Sequence, residues 1–89
     1  MIKTTVLIIN KLGLHARAAS KLVTTASGFA SQIRIGRNTQ MADAKSIMAV
    51  MMLAASKGTE LNLEVEGSDE EDACHAVIDL INQRFEEDE

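Results

Sequence analysis

The sequence has no proline, tryptophan or tyrosine, and its only aromatic residues are Phe29 and Phe85. Platforms that stack nucleic-acid bases are built from aromatic side chains, so no such platform is expected. The net charge is −4, whereas a general nucleic-acid binder carries a basic patch that neutralises phosphates. We therefore expect no nucleic-acid partner.

Cysteine is also scarce, because Cys74 is the only one and no disulfide can form within the chain. A single thiol is typical of a reducing compartment. The first apolar stretch, within "MIKTTVLIINKLG", is too short to span a membrane, and no small-residue cleavage site follows it. These observations predict a cytoplasmic protein that does not insert into membranes.

Metal-ligand patterns are missing as well. Cys74 and His75 are neighbours, but adjacent residues on a helix point in different directions and no second ligand pair is present. We expect Cys74 to be a small packed residue, and we expect no metal and no cofactor. With so few groups for a self-contained active site, the composition favours a small carrier or binding module over a complete enzyme.

What is present is typical of one globular domain. The chain has 89 residues, of which 46% are hydrophobic and 25% charged. No linker, low-complexity tract or repeat interrupts it. We therefore expect a single domain that covers residues 1–89.

The first half of the chain predicts a strand, a helix and a hairpin. "TTVLIIN" (4–10) is apolar and β-branched, as in a buried strand. "HARAASKLVTTAS" then follows the helical period and ends before Gly28, which is placed as its C-terminal cap. Its apolar stripe comprises Leu14, Ala18, Leu22 and Ala26, with Ala19 and Val23 beside them. "SQIRI", the turn "GRNT" and "QMADA" predict a hairpin.

The second half predicts a helix, a strand and a further helix. "SIMAVMMLAASKG" has Ser46 as a possible N-cap, Lys57 in its last turn and Gly58 at its end. "ELNLEVEG" alternates like a strand with one buried face. In "SDEEDACHAVIDLINQRFEE" a capping box of Ser68 and Glu71 is expected to open the last helix. Its inner face comprises Ala73, Val77, Leu80 and Ile81.

The final residues, "EEDE", are expected to fray. The order βαββαβα predicts an α+β fold in which an antiparallel sheet is covered by its helices on one face.

The stretch "NKLGLHARAAS" (10–20) places His15 where a helix begins. A neutral imidazole is a competent nucleophile, and a phosphoryl group on it would meet the free N–H groups of the helix start, including those of Ala16 and Arg17. The guanidinium of Arg17 can bind the same anion, Gly13 allows a sharp turn, and no carboxylate lies in the stretch. The alternative is a solvated histidine beside a solvated arginine, which spacing alone favours because short motifs also occur by chance.

The second candidate site is Ser46 with the apolar residues that follow it. Ser46 is an N-cap and also a candidate phosphorylation site, since a helix start tolerates a phosphate. The helix is apolar nearly all round, so part of it should be exposed and available for docking. We expect Ile47 and Met48 to be exposed and Met51 or Met52 to fill the core, and we place Ile47, Met48 and Met51 in a candidate docking surface.

Two separated motifs, "GLHAR" from Gly13 and "AKSIM" from Ala44, together resemble the histidine-containing phosphocarrier protein (HPr) family of the phosphoenolpyruvate-dependent phosphotransferase system. The resemblance extends over nearly the whole chain, including its length and element order, and it favours the phosphoryl-handling interpretation of His15. It implies an open-faced β-sandwich with a four-stranded antiparallel sheet and three helices on one side. Many family members have proline where this chain has Ala18, a position that varies in the nitrogen-related and regulatory branches.

The resemblance also implies a mechanism. Enzyme I would phosphorylate Nδ1 of His15 (a pros-phosphohistidine), and the group would pass to an enzyme IIA-type domain. Arg17 would help to neutralise the phosphoryl group, and an HPr kinase/phosphorylase could modify Ser46. The chain would act as a covalent carrier, by itself not an enzyme, and as a monomer. The alternative is a regulatory interaction protein that acts through phospho-Ser46 and its apolar docking surface.

Overall fold

The computed structural model describes residues 1–37 and 39–88. The elements follow the predicted order and end with a short 3₁₀ turn. They are β1 (Ile2–Leu7), α1 (Ala16–Ser27), β2 (Gln32–Arg37), β3 (Gln40–Asp43), α2 (Ile47–Met52), β4 (Glu60–Glu66), α3 (Glu70–Asn82) and the 3₁₀ turn Arg84–Glu86. In the part of the chain described, no helix has the length and apolar character needed to cross a bilayer.

The four strands form one antiparallel sheet in the order β1-β4-β2-β3. Cross-strand partners share a face of the sheet, and Leu63 lies between Thr4 of β1 and Ile35 of β2 on the inner face. On the outer face Arg34 pairs with Glu64 at 3.1 Å. One face is therefore apolar and covered by the helices, while the other is polar, which confirms the predicted fold class.

The helices α1 and α3 bury the residues that their periodicity predicted. Along α1 these are Ala18, Ala19, Leu22 and Ala26, and along α3 they are Ala73, Val77, Leu80 and Ile81. Cys74 is only 4% exposed, and its burial raises the pKa of the thiol. The prediction that it is a packed residue is confirmed.

The helix α2 is shorter than predicted, because it ends at Met52 and not near Gly58. Continuing the helix would require the carbonyl groups of residues 53–55 for internal hydrogen bonds. The carbonyl of Leu53 instead accepts from Arg37 Nη1 at 2.8 Å, and that of Ala55 accepts from the Leu14 N–H. Ala54 takes a positive φ of 50°, which turns the chain out of the helix.

The capping box predicted at Ser68 is wrong, since Asp69 is the N-cap residue of α3. The carboxylate of Asp69 accepts the N–H groups of Ala30 and Ser31, each at 2.9 Å, and the Ser31 hydroxyl. It therefore joins the start of α3 to the segment that leads into β2. The helix start is supported instead by Glu70, whose side chain accepts the Gly67 N–H at 3.2 Å.

The chain after α3 does not fray as predicted, at least through residue 88. Arg84, Phe85 and Glu86 all have positive φ, between 54° and 64°, so the backbone turns back toward α1. Phe85 is fully buried, and its carbonyl accepts from Lys21 Nζ at 2.8 Å. Two predicted positions, Glu89 of the tail and Asn38 of the hairpin turn, lie outside the described residues.

Candidate functional site

His15 is the N-cap residue of α1, as predicted. Its backbone is extended (φ −73°, ψ 177°), and its carbonyl accepts the first helical hydrogen bond, from Ala19 at 2.8 Å. The N–H groups of Ala16, Arg17 and Ala18 therefore have no acceptor within the helix, no side chain caps them, and the first turn has no acidic residue. Such a helix start attracts anions.

The loop before His15 is held by backbone hydrogen bonds. Gly13 has φ +65°, and a Cβ there would lie 2.3 Å from the carbonyl oxygen of Ala55. The next residue, Leu14, donates its N–H to that oxygen at 2.9 Å. The sharp turn expected at Gly13 is present, and the close approach to Ala55 explains why a glycine is needed there.

The imidazole of His15 contacts a carboxylate that the sequence analysis missed. The side chain is 27% exposed, and Nε2 lies 2.6 Å from Oε2 of Glu87, 72 residues further along the chain. Among the described residues, no hydrogen-bond partner is assigned to the other ring nitrogen, Nδ1. One ring nitrogen is thus bound by the protein, and the other remains for a reaction.

Glu87 is oriented by a second contact. Its other oxygen, Oε1, accepts from Nδ2 of the buried Asn10 at 3.0 Å, and the same amide nitrogen donates to the Gly13 carbonyl at 2.8 Å. Partial burial raises the pKa of Glu87, but the hydrogen bonds from Asn10 and His15 outweigh it and hold the pKa below its ordinary value. Glu87 is therefore ionised at neutral pH.

Beside Glu87 lies an open cleft of about 530 Å³ with mixed charge. It is lined by Lys11, Leu12, Arg17, Lys21, Glu86, Glu87 and Asp88. The side chain of Lys21 is bound to the residues that follow α3. Its Nζ lies 3.7 Å from Glu86 Oε1 and donates a hydrogen bond to the Phe85 carbonyl. Arg17 is exposed, and within residues 1–37 and 39–88 no carboxylate is paired with it, so its guanidinium is available to an incoming anion.

Ser46 is the N-cap of α2, as predicted, and its Oγ accepts the Ala49 N–H at 3.3 Å. The residue is half-buried. Its hydroxyl is therefore engaged locally, and the helix it caps carries the candidate docking residues.

The docking residues of α2 are more exposed than predicted. The exposed fractions are 42% for Ile47, 73% for Met48, 40% for Met51 and 68% for Met52. The expectation that Met51 or Met52 fills the core is wrong, because Val50, which is fully buried, is the residue of α2 that points inward. These four exposed side chains are called the α2 apolar surface below.

The described residues contain no group of three histidine, cysteine, aspartate or glutamate side chains that could hold a metal ion. His75 is exposed on α3 while its neighbour Cys74 is buried. The two side chains therefore point apart, as expected for adjacent positions on a helix.

Comparison with known proteins connects this geometry to a family. The family model described as "PTS HPr component phosphorylation site" matches residues 2–83. The chain belongs to the HPr family. It is 59% identical over 83 residues to the phosphocarrier protein HPr of Pseudomonas aeruginosa, covering 92% of each chain. It is 52% identical to that of Neisseria meningitidis serogroup A over 89 residues and all of both chains.

Solved structures of the HPr family have the same fold. The crystal structure of HPr-C-His from Thermoanaerobacter tengcongensis superposes with a TM-score of 0.94 at 46% identity, covering all of both chains. The resemblance based on "GLHAR" and "AKSIM" is thereby confirmed. The match to the HPr model ends at residue 83, so it includes His15 and Asn10 but not Glu87.

Proposed function

We propose that this HPr-family chain carries a phosphoryl group on Nδ1 of His15, taking it from phospho-enzyme I and passing it to enzyme IIA-type domains of the phosphotransferase system. The observation that supports this most directly is the position of His15. It caps a helix start whose N–H groups are free and whose first turn has no acidic residue, with one ring nitrogen held by Glu87.

The transfer is a displacement at phosphorus. The lone pair of Nδ1 forms the new N–P bond while the bond between phosphorus and the donor nitrogen breaks, and that electron pair returns to the donor. The proton on Nε2 stays in place throughout. In the second step an acceptor side chain attacks the same phosphorus, and the N–P electron pair returns to Nδ1.

The groups around the phosphoryl oxygens have separate tasks. The N–H groups of Ala16 and Arg17 would donate to them at the helix start, and the Arg17 guanidinium would balance their charge. Ala18 keeps a further N–H that a proline at this position would remove. The site lies at the surface, so it stabilises the group only moderately, which suits a carrier that must release it again.

The chain is a carrier and depends on its partners for catalysis. The α2 apolar surface packs no core and offers a contact area for enzyme I and for enzyme IIA-type domains. A monomer suits this role because a single face must meet several partners in turn. Neither transfer step requires a cofactor.

The test is labelling by enzyme I with ³²P-phosphoenolpyruvate, on the unmodified chain and on His15→Ala. An alkali-stable, acid-labile label that His15→Ala lacks supports the proposal. His75→Ala is the matched control, because it removes the other histidine and should retain the label. Label on His15→Ala, or no label on the unmodified chain when a known carrier is labelled in parallel, contradicts the proposal.

A second candidate function, regulation through Ser46, is favoured by the position of its hydroxyl beside the α2 apolar surface. Phosphorylation would place about two negative charges there and weaken docking to a partner with acidic residues. The affinity of enzyme I for the chain before and after treatment with an HPr kinase tests this, with Ser46→Ala as the control that cannot be modified. Equal affinities would contradict it.

A further inference from the structure

We propose that Glu87 is a positioning residue, which keeps the proton of the His15 imidazole on Nε2 and leaves Nδ1 as the nucleophile. The inference rests on the proposed function of His15, because it assigns a cause to the choice of Nδ1. It concerns the segment after α3, which lies outside the match to the HPr family model.

The first argument is the chemistry of the contact. An ionised carboxylate can only accept hydrogen bonds, so the ring nitrogen 2.6 Å from Glu87 Oε2 must carry a hydrogen. In a neutral imidazole the other nitrogen then holds the lone pair. The contact therefore selects the tautomer in which Nδ1 can attack phosphorus.

The second argument is that the carboxylate is itself fixed by Asn10. The Asn10 amide nitrogen donates both to Glu87 Oε1 and to the Gly13 carbonyl. A flipped amide would turn Oδ1 toward these two acceptors, so the observed orientation is enforced. The consequence is visible at Asn10 Oδ1, which is buried and has no partner among the described residues. A buried acceptor without a partner costs free energy. The orientation that leaves Oδ1 unpaired is the one in which the Asn10 amide nitrogen donates to Glu87.

The third argument is that the segment leading to Glu87 is anchored to the rest of the fold. Phe85 is fully buried, Lys21 binds its carbonyl, and three consecutive positive φ angles turn the chain toward His15. A left-handed backbone at three non-glycine residues is unfavourable and persists only where the surrounding structure stabilises it. The anchored segment therefore places Glu87 against the imidazole of His15.

The same contact would act again after phosphorylation. With phosphorus on Nδ1 and the proton still on Nε2, the ring carries a positive charge. The Glu87 carboxylate, in direct hydrogen-bond contact with Nε2, balances that charge through a charge-assisted hydrogen bond. No proton has to enter or leave the ring during either transfer.

Two variants distinguish this role from a structural one. In Glu87→Gln the Asn10 donor still requires an acceptor, so the new amide should turn its oxygen to Asn10 and its NH₂ group to His15. Nε2 then has to accept, and the proton moves to Nδ1. Glu87→Ala removes the contact without imposing the wrong tautomer. We therefore expect phosphorylation by enzyme I to be slower in the Gln variant than in the Ala variant. A residue with only a structural role would give the opposite order, because glutamine preserves more of the side chain than alanine.

The tautomer is measured by ¹H–¹⁵N long-range NMR of the His15 ring, on full-length protein at a pH where the ring is neutral. We expect protonated Nε2 in the unmodified chain, a mixture in Glu87→Ala and protonated Nδ1 in Glu87→Gln. For phosphorylation by enzyme I, kcat/KM should fall about tenfold in Glu87→Gln and less in Glu87→Ala. The control is Glu86→Gln, which removes one charge from the same cleft without touching His15 and should match the unmodified chain in both measurements.

Unchanged tautomers and rates in both Glu87 variants would overturn the inference. So would faster phosphorylation of Glu87→Ala, since the tail would then be an obstacle at the site. Failure of the proposed function is a separate result, in which the unmodified chain takes no label on His15. The NMR experiment does not involve phosphoryl transfer and tests the tautomer in either case.

Discussion

The backbone N–H of Leu14 is bonded to the carbonyl oxygen of Ala55 at 2.9 Å. This one contact joins the residue before His15, the proposed phosphoryl acceptor, to the segment that follows α2. The acceptor loop and the helix that carries the α2 apolar surface are therefore held in a fixed relation. When a partner docks on α2, His15 would therefore lie at a constant position relative to the active centre of that partner.

Substituting Gly13 by alanine should disturb this junction. The new Cβ would lie 2.3 Å from the Ala55 oxygen, and φ is positive, so clash and backbone strain both act. We expect the free energy of unfolding, measured with urea, to fall by about 2 kcal/mol or more. The control is Gly58→Ala, which also has a positive φ but no atom within 4 Å. An equal loss in both variants would mean that the Ala55 contact is unimportant.

Arg17 should affect phosphoryl transfer without affecting stability, because its side chain is exposed and has no described ion pair. Replacing it with lysine keeps the charge but loses the paired donors that match two phosphoryl oxygens. We expect kcat/KM with enzyme I to fall about tenfold in Arg17→Gln and by a smaller factor in Arg17→Lys. Rates equal to those of the unmodified chain would exclude Arg17 from phosphate binding. Urea unfolding of both variants checks that the fold is intact.

Met48 is the most exposed residue of the α2 apolar surface, at 73%. Met48→Ser should weaken binding of enzyme I, measured by isothermal titration calorimetry, about fivefold to tenfold. It should leave the free energy of unfolding nearly unchanged, since little area is buried in the free protein. Leu7→Ser is the matched control, because Leu7 is 50% exposed but lies on β1. Equal losses of affinity would show that α2 is not the docking surface.

Asp69 should make the stability of the protein depend on pH in acid. The hydrogen bond from the Ser31 hydroxyl, followed by that from the Ala30 N–H, holds the pKa of Asp69 below its ordinary value of 3.8. The unfolded chain therefore binds a proton first as the pH falls, and the stabilisation is complete above that value and lost below it. The stability difference between the unmodified chain and Asp69→Asn should be largest at pH 7 and shrink toward pH 3.

The control for this experiment is Asp72→Asn, which removes a charge from the same turn of α3 but does not touch residues 30 and 31. It separates the loss of a charge near the helix dipole from the loss of the Asp69 contacts. Urea unfolding at several pH values gives the comparison. A difference for Asp69→Asn that is the same at pH 7 and pH 3 would contradict the prediction.

Much of the fold could be predicted because periodicity records which side chains are buried. The alternation of Leu61, Leu63 and Val65 marked β4, and the stripe of Ala18 and Leu22 marked α1. The pattern failed at α2, where every residue from 47 to 55 is apolar and no polar face marks the direction of the core. There the inward position belongs to Val50, and the helix end is set by Arg37 and Leu14, which lie far away in the sequence.

The candidate site was predicted only in part, for a related reason. His15 and Arg17 lie in one short motif whose helix start is visible in the sequence. Glu87 reaches the same imidazole across 72 residues, through a left-handed turn that contains neither glycine nor asparagine. No local sequence pattern predicts such a turn. A run of acidic residues at a chain end is usually solvated, so the sequence also gives no reason to expect a contact with His15. The contact follows from the burial of Phe85, which only the folded structure reveals.

The buried thiol of Cys74 has a practical consequence for following this protein in motion. Because the thiolate is the reactive form, a thiol that is 4% exposed and has a raised pKa should be inert to maleimides in the folded state. A second cysteine introduced on the outer face of the sheet, for example at Thr5, could then be labelled selectively in the native sequence background. A single fluorophore there would report how the carrier exchanges between partners while its helices and His15 remain uncovered.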